Sequence, residues 1–506
     1  MSLMTMELST PASQGVDSRR IAAFLDALEA SPDPEPHSLM ILRHGQVVAQ
    51  GWWAPYTPDR RQLLYSLSKS FTGTAAAFAY AEGLLRLDDP AVAHFPEFEA
   101  EITDPVSRSI LVRHLLSMAS GHSVDQWGKA VTQDLAEPVR GFLLNGPDGE
   151  PGRVFAYNQP CTYTVGAIVQ RAAGQRLVDY LRPRLFDPLG IEEVAWQQHP
   201  AGRDIAFTGL HARTDAIARL GQLYLQRGVW EGVRLLPEEW VEQATRPQVD
   251  NSGLDWGPDW SQGYGFQFWM SRHGFRGDGA CGQYCLVLPE QDAVIAITSE
   301  TIDMQVVLDL VWEHLLPAFN EGPAANAEVA AQADEALAKR LAELTVPVCP
   351  GSAAPPAVAE RVGSDGLVCT AIGEGPVSAV RLEQCPDDSG DWTIVLTERP
   401  AAAGSFEATS GFEAGYPDFP RGEITLRLAP GGGWRVSGPQ ETPTAVSGGW
   451  GVDGADTLRF DILFLETPHR VHVTCDLAQR TVEARYRTTP LQINSLTWLR
   501  APRIEP

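Results

Sequence analysis

The pattern of hydrophobic residues changes near residue 320, and this change constrains the fold more than any other feature. Before it, helical spacing alternates with strand-like runs, whereas short alternating strands predominate beyond it. A chain of 506 residues is also too long for one ordinary core. We therefore expect an α/β (α+β) domain over 1–320, a helical connector and linker over 321–356, and an all-β domain over 357–506.

Strands at the two ends of the first domain are predicted to share one antiparallel sheet. Residues 37–43 and 46–52 flank His44-Gly45 in a pattern typical of a hairpin, and strand patterns return over 283–289 and 293–299. Helical spacing lies between and around them, over 17–30 with Asp17 as N-cap, 66–83, 111–118, 162–173, 215–228, 237–245 and 304–319. The pattern differs from repeating βαβ units.

The C-terminal domain is predicted to be a small sandwich or barrel. Strand patterns occupy 392–396, 424–428, 434–436, 458–464, 471–473 and 482–486. Turns are expected at Pro430–Gly433 and Ser447–Gly449. Three roles are open for this domain: capping a cleft, dimerisation into a homo-oligomer, or ligand binding.

Charge and composition exclude several partners. The formal net charge of −25 repels nucleic acid phosphates and anionic lipid. No apolar run is long enough for a membrane span, and no basic segment followed by an apolar core indicates secretion. The seven cysteines are odd in number and scattered, which favours free thiols in a reducing compartment. We expect a cytoplasmic protein without a metal or cofactor.

Ser66 and Lys69 form a Ser-x-x-Lys pair at the start of an apolar helix. Residues three apart lie on nearly the same helical face, so the hydroxyl and the amine are predicted to point the same way. A lysine that loses its proton on burial accepts the proton of a serine nucleophile. By itself the pair also fits a capping serine beside a surface lysine. Ser68 and Ser70 are alternative hydroxyls, but they lack the three-residue offset.

Tyr157 lies in the loop 151–160, directly before a predicted helix. If the fold brings its phenol to Ser66, nearby ammonium groups favour the phenolate. Tyr157 would then act as a general base or pass a proton to the leaving group. The alternative is a buried tyrosine with a satisfied hydroxyl.

The glycine-rich segment 275–283 leads into a predicted strand. Glycine lets a backbone approach a ligand closely, and an N–H here would pair with the N–H of Ser66 as an oxyanion hole. A β-bulge or a tight turn is the alternative.

These three motifs occur in the order of the serine β-lactamase and penicillin-binding protein superfamily. Over about residues 15–320 the chain resembles its β-lactamase-related serine hydrolase branch, which includes class C β-lactamases, DD-peptidases, D-amino-acid peptidases and esterases. His114–Gly121 is similar to the family's HLLxMxSG stretch, and 209–215 and 221–225 resemble a later helical segment. The resemblance implies an antiparallel sheet with a helical subdomain and a site in the cleft between them.

The same resemblance implies roles for particular residues. Ser66 would be the nucleophile, Lys69 its proton acceptor and Tyr157 the second acid/base. The N–H groups of Ser66 and Ala280 would form the oxyanion hole.

The second motif departs from the family pattern, which is usually Tyr-x-Asn. Here Gln159 occupies the third place and Asn158 comes one residue early. Either amide is a candidate for binding the substrate's carbonyl or Lys69.

The third motif departs too, because Gly277 stands where the family usually has Lys or His. Arg276 and His273 are candidates to replace that cation. Asp278 and Gly279 are expected to line the substrate, and the negative charge of Asp278 hinders substrates that carry a carboxylate.

Three functions fit these observations. The first is a serine hydrolase that acts on a small-molecule ester or amide through an acyl-enzyme on Ser66. The second is a β-lactamase or a D-aminopeptidase/DD-peptidase, with a lactam or D-amino-acid substrate. The third is a non-catalytic sensor or binding protein that is acylated slowly or not at all.

Overall fold

The computed structural model describes residues 6–363, 365–387, 389–399, 422–438, 442–491 and 495–503. The chain forms two compact units. The first comprises 1–52, 64–344 and 502–506, and the second comprises 53–63 and 345–501. Within the described residues, no helix is both long and apolar enough to cross a membrane.

The helices are numbered in chain order, and all but the last lie in the first unit. They are α1 Ser18–Ala30, α2 Ser68–Ala81, α3 Pro105–Arg108, α4 Val112–Leu116, α5 Trp127–Gln133, α6 Pro138–Leu144, α7 Gln159–Ala173, α8 Leu177–Leu181, α9 Asp187–Leu189, α10 Thr214–Leu225, α11 Glu238–Ala244, α12 Met304–Leu310, α13 Leu316–Glu321, α14 Ala327–Ala342 and α15 Pro356–Val362.

The strands are numbered in the same way. They are β1 Glu35–Arg43, β2 Gln46–Trp52, β3 Gln62–Leu63, β4 Ala195–Trp196, β5 Leu210–Ala212, β6 Val229–Trp230, β7 Val233–Arg234, β8 Trp269–Met270, β9 Phe275–Gly279, β10 Gln283–Leu288, β11 Ala293–Glu300, β12 Leu367–Ala371, β13 Val377–Gln384, β14 Trp392–Glu398, β15 Glu423–Leu428, β16 Arg435–Ser437, β17 Thr444–Trp450, β18 Thr457–Phe464, β19 His469–Asp476 and β20 Thr481–Tyr486.

A six-stranded sheet organises the first unit, in the order β2-β1-β11-β10-β9-β8. Every neighbouring pair is antiparallel, so strands from the two ends of the domain do share one sheet. Helix α10 packs closely on it at Gly221, where a Cβ would lie 2.6 Å from Val294 Cγ1 and 2.9 Å from Cys285 Sγ. The predicted antiparallel sheet with packed helices is thereby confirmed.

Helix α2 is buried nearly all round, as its composition predicts. Twelve of its fourteen residues are buried. The α-helix begins at Ser68 rather than Ser66, because Tyr65–Leu67 form a turn of 3-10 helix ahead of it. Asp17 caps α1 as predicted, since its carboxylate accepts a hydrogen bond from the N–H of Arg19 at 2.9 Å.

The second unit is built on one nine-stranded sheet, in the order β15-β14-β13-β12-β20-β19-β18-β17-β16. The two edge strands approach each other, and the N–H of Arg427 in β15 donates to Ser437 Oγ in β16 at 3.1 Å. The sheet is thus nearly closed, which makes the domain barrel-like rather than a sandwich of two sheets. Residues 53–63 belong to this unit, where Leu63 N–H donates to Glu466 O at 2.9 Å.

The turn predicted at Ser447–Gly449 is wrong, because these residues lie inside strand β17. Here the glycines serve close backbone packing rather than reversal of the chain. A Cβ on Gly448 would lie 2.2 Å from Arg459 O, and one on Gly449 would lie 2.6 Å from Ser352 N.

We expect Gly448→Val to lower the thermal midpoint of the second unit, because its Cβ would collide with the backbone of β18. Overpacking of this kind typically costs about 1–3 kcal/mol. Calorimetry of the full chain measures the midpoint. Gly433→Ala is the matched control, since a Cβ there would meet nothing within 4 Å. An unchanged midpoint in Gly448→Val would contradict the close approach.

Candidate active site

Ser66 lies in the short turn Tyr65–Leu67 that precedes α2, and its side chain is partly exposed. Tyr65 has φ of 46°, a left-handed conformation that costs energy for a residue with a Cβ. Ser68 braces this turn, because its Oγ donates to Tyr65 O at 2.6 Å and accepts from Leu210 N–H at 3.0 Å. The turn thus presents the Ser66 hydroxyl at the start of a buried helix.

The other two candidate hydroxyls, those of Ser68 and Ser70, form hydrogen bonds to the backbone. Ser68 is fully buried in the contacts just described. Ser70 Oγ donates to Gln267 O at 2.8 Å and is also buried. Of the three serines, Ser66 is the one that faces both solvent and an amine.

Lys69 is 1% exposed and points at Ser66. Its Nζ donates to Ser66 Oγ at 3.0 Å and to Phe207 O at 2.9 Å. The three-residue spacing therefore brings the hydroxyl and the amine together, as the helical geometry requires.

Burial lowers the pKa of Lys69 to about 7, because the ammonium form loses its hydration. The carboxylates of Asp125 and Asp278 act in the opposite direction, since each stabilises the ammonium. The balance leaves a large fraction of Lys69 as a neutral amine at pH 7, ready to take a proton.

The Phe207 carbonyl, which accepts a hydrogen bond from Lys69, is held in place by its neighbours. Ala206, one residue before Phe207, has φ of 65°, and its carbonyl accepts a hydrogen bond from Thr72 Oγ1 at 2.9 Å. Gly166 of α7 packs against it so closely that a Cβ there would lie 2.4 Å from the Ala206 Cβ. Successive carbonyls of this segment thus face α2.

Tyr157 lies beside both groups. Its phenol interacts with the Ser66 side chain, and Lys69 Nζ is 4.6 Å from the centre of its ring. Trp269 stacks on the ring with a centroid distance of 5.2 Å and an interplanar angle of 27°. The structure therefore unites the three predicted residues in one site.

The expectation that nearby ammonium favours the Tyr157 phenolate is wrong. Burial raises the pKa of Tyr157 well above its usual value, and the negative charge of Asp278 adds to the rise. Tyr157 consequently rests as a neutral phenol, which suits it to donate a proton rather than to take one first.

Strand β9 runs directly against the Ser66 turn. A Cβ on Gly279 would lie 2.0 Å from Leu64 O and 3.1 Å from Leu67 N. A Cβ on Gly277 would lie 2.5 Å from Ser70 Oγ. Position 277 points into α2, so it has no room for the Lys or His that the family pattern led us to look for.

Neither proposed substitute supplies an accessible cation. Arg276 is 0% exposed, and its guanidinium donates to Asp278 Oδ2 at 2.8 Å and to Asp259 O at 2.7 Å. His273 is exposed and packs on Trp312, with ring centroids 5.0 Å apart. Asp278 is thus one half of a buried ion pair, and burial raises its pKa despite Arg276.

The two amides of the second motif have different surroundings. Asn158 is fully buried, and its side chain accepts from Gln126 N–H at 2.8 Å and donates to Ser120 Oγ at 3.3 Å. These bonds hold the loop before α5. Gln159 begins α7, and its backbone N–H donates to Asp125 Oδ1 at 2.7 Å.

Three groups of the site were missed by the sequence reasoning: the Phe207 carbonyl, Asp125 and Trp269. The carbonyl of Phe207 carries no side-chain signal. Asp125 lies four residues beyond the 114–121 stretch, in a polar loop directly before α5. An acidic residue just ahead of a helix is a readable capping signal, and it would have drawn attention to this loop. The carboxylate of Asp125 in turn stabilises the Lys69 ammonium.

The described residues include no group of three or more His, Cys, Asp or Glu side chains placed to hold a metal ion. The seven cysteines are all free thiols.

Comparisons with known proteins bear on the same region. A family model described as Beta-lactamase matches residues 34–305. The 6-aminohexanoate-dimer hydrolase of Paenarthrobacter ureafaciens is 27% identical over 318 residues, 58% of this chain and 80% of the relative. Esterase EstB of Burkholderia gladioli is 26% identical over 219 residues, 38% of this chain and 55% of the relative, so the chain spans about half of that esterase.

A solved structure from Bacteroides dorei, named as a beta-lactamase candidate, has a TM-score of 0.51 at 15% identity. The likeness covers 60% of this chain and 99% of that one and concerns the fold.

We expect the amine of Lys69 to titrate near pH 7, because burial stabilises its neutral form. The chain has three lysines, so lysine labelled with 13C at Cε gives three signals. Lys69→Met removes the titrating signal, while Lys129→Arg and Lys339→Arg assign the other two. Absence of any lysine titration between about pH 6 and pH 8 would contradict the buried amine.

In the same spectra, Asp125→Asn is expected to move the Lys69 midpoint to lower pH. The substitution removes a carboxylate that stabilises the ammonium form of Lys69. Without it the ammonium loses its proton more readily, so the pKa of Lys69 falls. Asp250→Asn, at an exposed loop position, is the matched control. A midpoint that stays in place or rises in Asp125→Asn would show that Asp125 does not face Lys69.

Proposed function

This chain belongs to the beta-lactamase family, and from that premise we propose that it is a serine hydrolase acylated at Ser66. One observation carries the proposal: an amine whose pKa lies near 7 donates a 3.0 Å hydrogen bond to the Ser66 oxygen. A serine hydroxyl becomes a useful nucleophile when a base of this kind adjoins it. The hydrolases named among the relatives support the reaction class.

In the first step, Ser66 Oγ attacks the carbonyl carbon while its proton passes to the neutral amine of Lys69. The carbonyl oxygen becomes an oxyanion, which the backbone N–H groups of Ser66 and Ala280 would stabilise. The bond to the leaving group then breaks, and the leaving oxygen or nitrogen takes the phenolic proton of Tyr157. The Lys69 ammonium restores that proton to Tyr157, and the acyl group remains on Ser66.

In the second step, water attacks the acyl-enzyme and releases the acid. The water gives up one proton to the base, and Ser66 Oγ regains a proton as it leaves. The sum of the two steps is ester or amide plus water giving acid plus alcohol or amine. Because Tyr157 rests as a phenol, its assigned task is proton donation, with Lys69 as the initial base.

We infer a substrate without a free carboxylate near the reacting carbonyl. Asp125 and Asp278 both stabilise the Lys69 ammonium, but Asp278 is buried and paired with Arg276, so Asp125 is the carboxylate that repels an entering anion. The guanidinium that neutralises Asp278 is buried and faces Asp278, the carbonyl of Asp259 and Ser271 rather than an open cleft. A neutral ester or amide of a small molecule fits this environment best.

We expect a fluorophosphonate probe to label the folded chain once, at Ser66, and Ser66→Ala to abolish both labelling and hydrolysis of short p-nitrophenyl esters. Lys69→Met is expected to lower the ester rate by roughly 10²- to 10⁴-fold, the contribution typical of a general base. Intact-protein mass spectrometry and absorbance measure the two effects. Ser109→Ala, an exposed serine, is the control.

The two alternative functions predict different results in the same assays. Turnover of nitrocefin or cleavage of D-alanyl amides in preference to esters would assign a β-lactamase or a D-aminopeptidase/DD-peptidase. A stable adduct without turnover would assign a sensor. If Ser66 stays unlabelled while the chain is folded, the proposal is contradicted.

A further inference from the structure

Trp256 is an exposed aromatic residue beside the reactive phenol. Its side chain is 53% exposed, although indoles are usually buried. Its ring lies 6.1 Å from the ring of Tyr157 at 80°, and 6.1 Å from the ring of Trp269 at 55°. The indole thus joins the aromatic cluster behind Tyr157 while leaving half of its surface uncovered.

The residues after Trp256 fix the position of the indole. Gly257 has φ of 121° and approaches Gln305 so closely that a Cβ would lie 2.7 Å from Gln305 Oε1. Asp259 is 0% exposed and accepts hydrogen bonds from Arg272 Nη2 at 2.8 Å and from Gln305 Nε2 at 2.8 Å. A loop end tied in this way presents Trp256 as a preformed surface.

The rest of the cluster is a buried support. Tyr264 and Trp269 are 1% and 2% exposed, with their rings 4.8 Å apart at 89°. Phe155 packs against both, at 5.5 Å and 5.7 Å. These contacts hold the rings of Tyr157 and Trp256 against a buried aromatic support, so the exposed part of Trp256 adjoins the ring of Tyr157.

We propose that Trp256 is a specificity-determining residue that binds an apolar, preferably aromatic, leaving group. The inference rests on the proposed function, in which Tyr157 gives its proton to the leaving atom. That atom must lie at the phenolic oxygen, so the group attached to it extends along the neighbouring surface. An indole that is half uncovered gains from stacking or edge contacts with such a group.

The step is the acylation described above, written for an aryl-methyl ester. Ser66 Oγ bonds to the carbonyl carbon as the bond from that carbon to the ester oxygen breaks. The ester oxygen takes the proton of Tyr157 and departs as a neutral alcohol against Trp256. Lys69, which received the Ser66 proton, returns a proton to Tyr157.

The test compares benzyl acetate with ethyl acetate. Both form the same acetyl-enzyme, and their alcohols are of similar acidity, so the ratio of their kcat/KM values reports contact with the leaving group. We expect Trp256→Ala to lower the benzyl-to-ethyl ratio about tenfold, or about 1.4 kcal/mol, and Trp256→Phe to retain most of it. Val233→Ala, an exposed apolar truncation in β7, is expected to leave the ratio unchanged.

A binding measurement separates this inference from the proposed function. Ser66→Ala cannot form the acyl-enzyme, so ligand-observed NMR of benzyl acetate reports binding alone. We expect saturation transfer to the phenyl protons with Ser66→Ala and its loss in the double variant with Trp256→Ala. Binding that depends on Trp256, together with a native chain that hydrolyses no ester, would support an aromatic binding site at Trp256 and overturn the hydrolase. Equal benzyl-to-ethyl ratios in the native chain and Trp256→Ala, with binding unchanged, would overturn the inference.

Discussion

The burial of one lysine amine next to one serine hydroxyl is the constraint on which the rest of the site depends. Lys69 is almost completely covered, and its ordinary pKa of 10.5 falls to about 7. A fall of that size corresponds to roughly 5 kcal/mol of preference for the neutral amine over the ammonium. An amine in this state needs hydrogen-bond partners rather than a counter-ion, and the Ser66 oxygen and the Phe207 carbonyl provide them. Asp125 and Asp278 keep the pKa from falling further, so the amine stays usable near neutral pH.

Unusual backbone geometry surrounds that amine. Tyr65 and Ala206 adopt left-handed conformations on either side of it, one in the turn that presents the Ser66 hydroxyl and the other beside the carbonyl that accepts from Lys69. On β9, Gly277 and Gly279 let the strand approach the Ser66 turn more closely than any side chain would permit. Strain and close packing of this kind persist only where the surrounding core determines them, and here that core is α2, α7 and the central sheet.

Some of this arrangement was predictable from the sequence because it follows from local periodicity. Residue spacing in the sequence is enough to predict the hairpin of β1 and β2 and the buried helix α2. The same spacing predicts that Ser66 faces Lys69. The proton state of Tyr157 was not predictable, since it depends on burial and on Asp278 arriving from a distant strand. The lack of space for a side chain at position 277 was not predictable either. It results from contact with Ser70 and Leu67, which lie far from Gly277 in the sequence. In the second unit, Gly448 and Gly449 resemble turn residues until their strand neighbours are known.

The most direct test is the pH dependence of fluorophosphonate labelling at Ser66. If a neutral Lys69 activates the serine, the first-order labelling rate should rise with pH and reach half its maximum near pH 7, where the amine loses its proton. In Lys69→Met, the rate should be far lower and show no rise in that range. A labelling rate that is flat from about pH 5 to pH 9, or one that survives in Lys69→Met, would contradict the account.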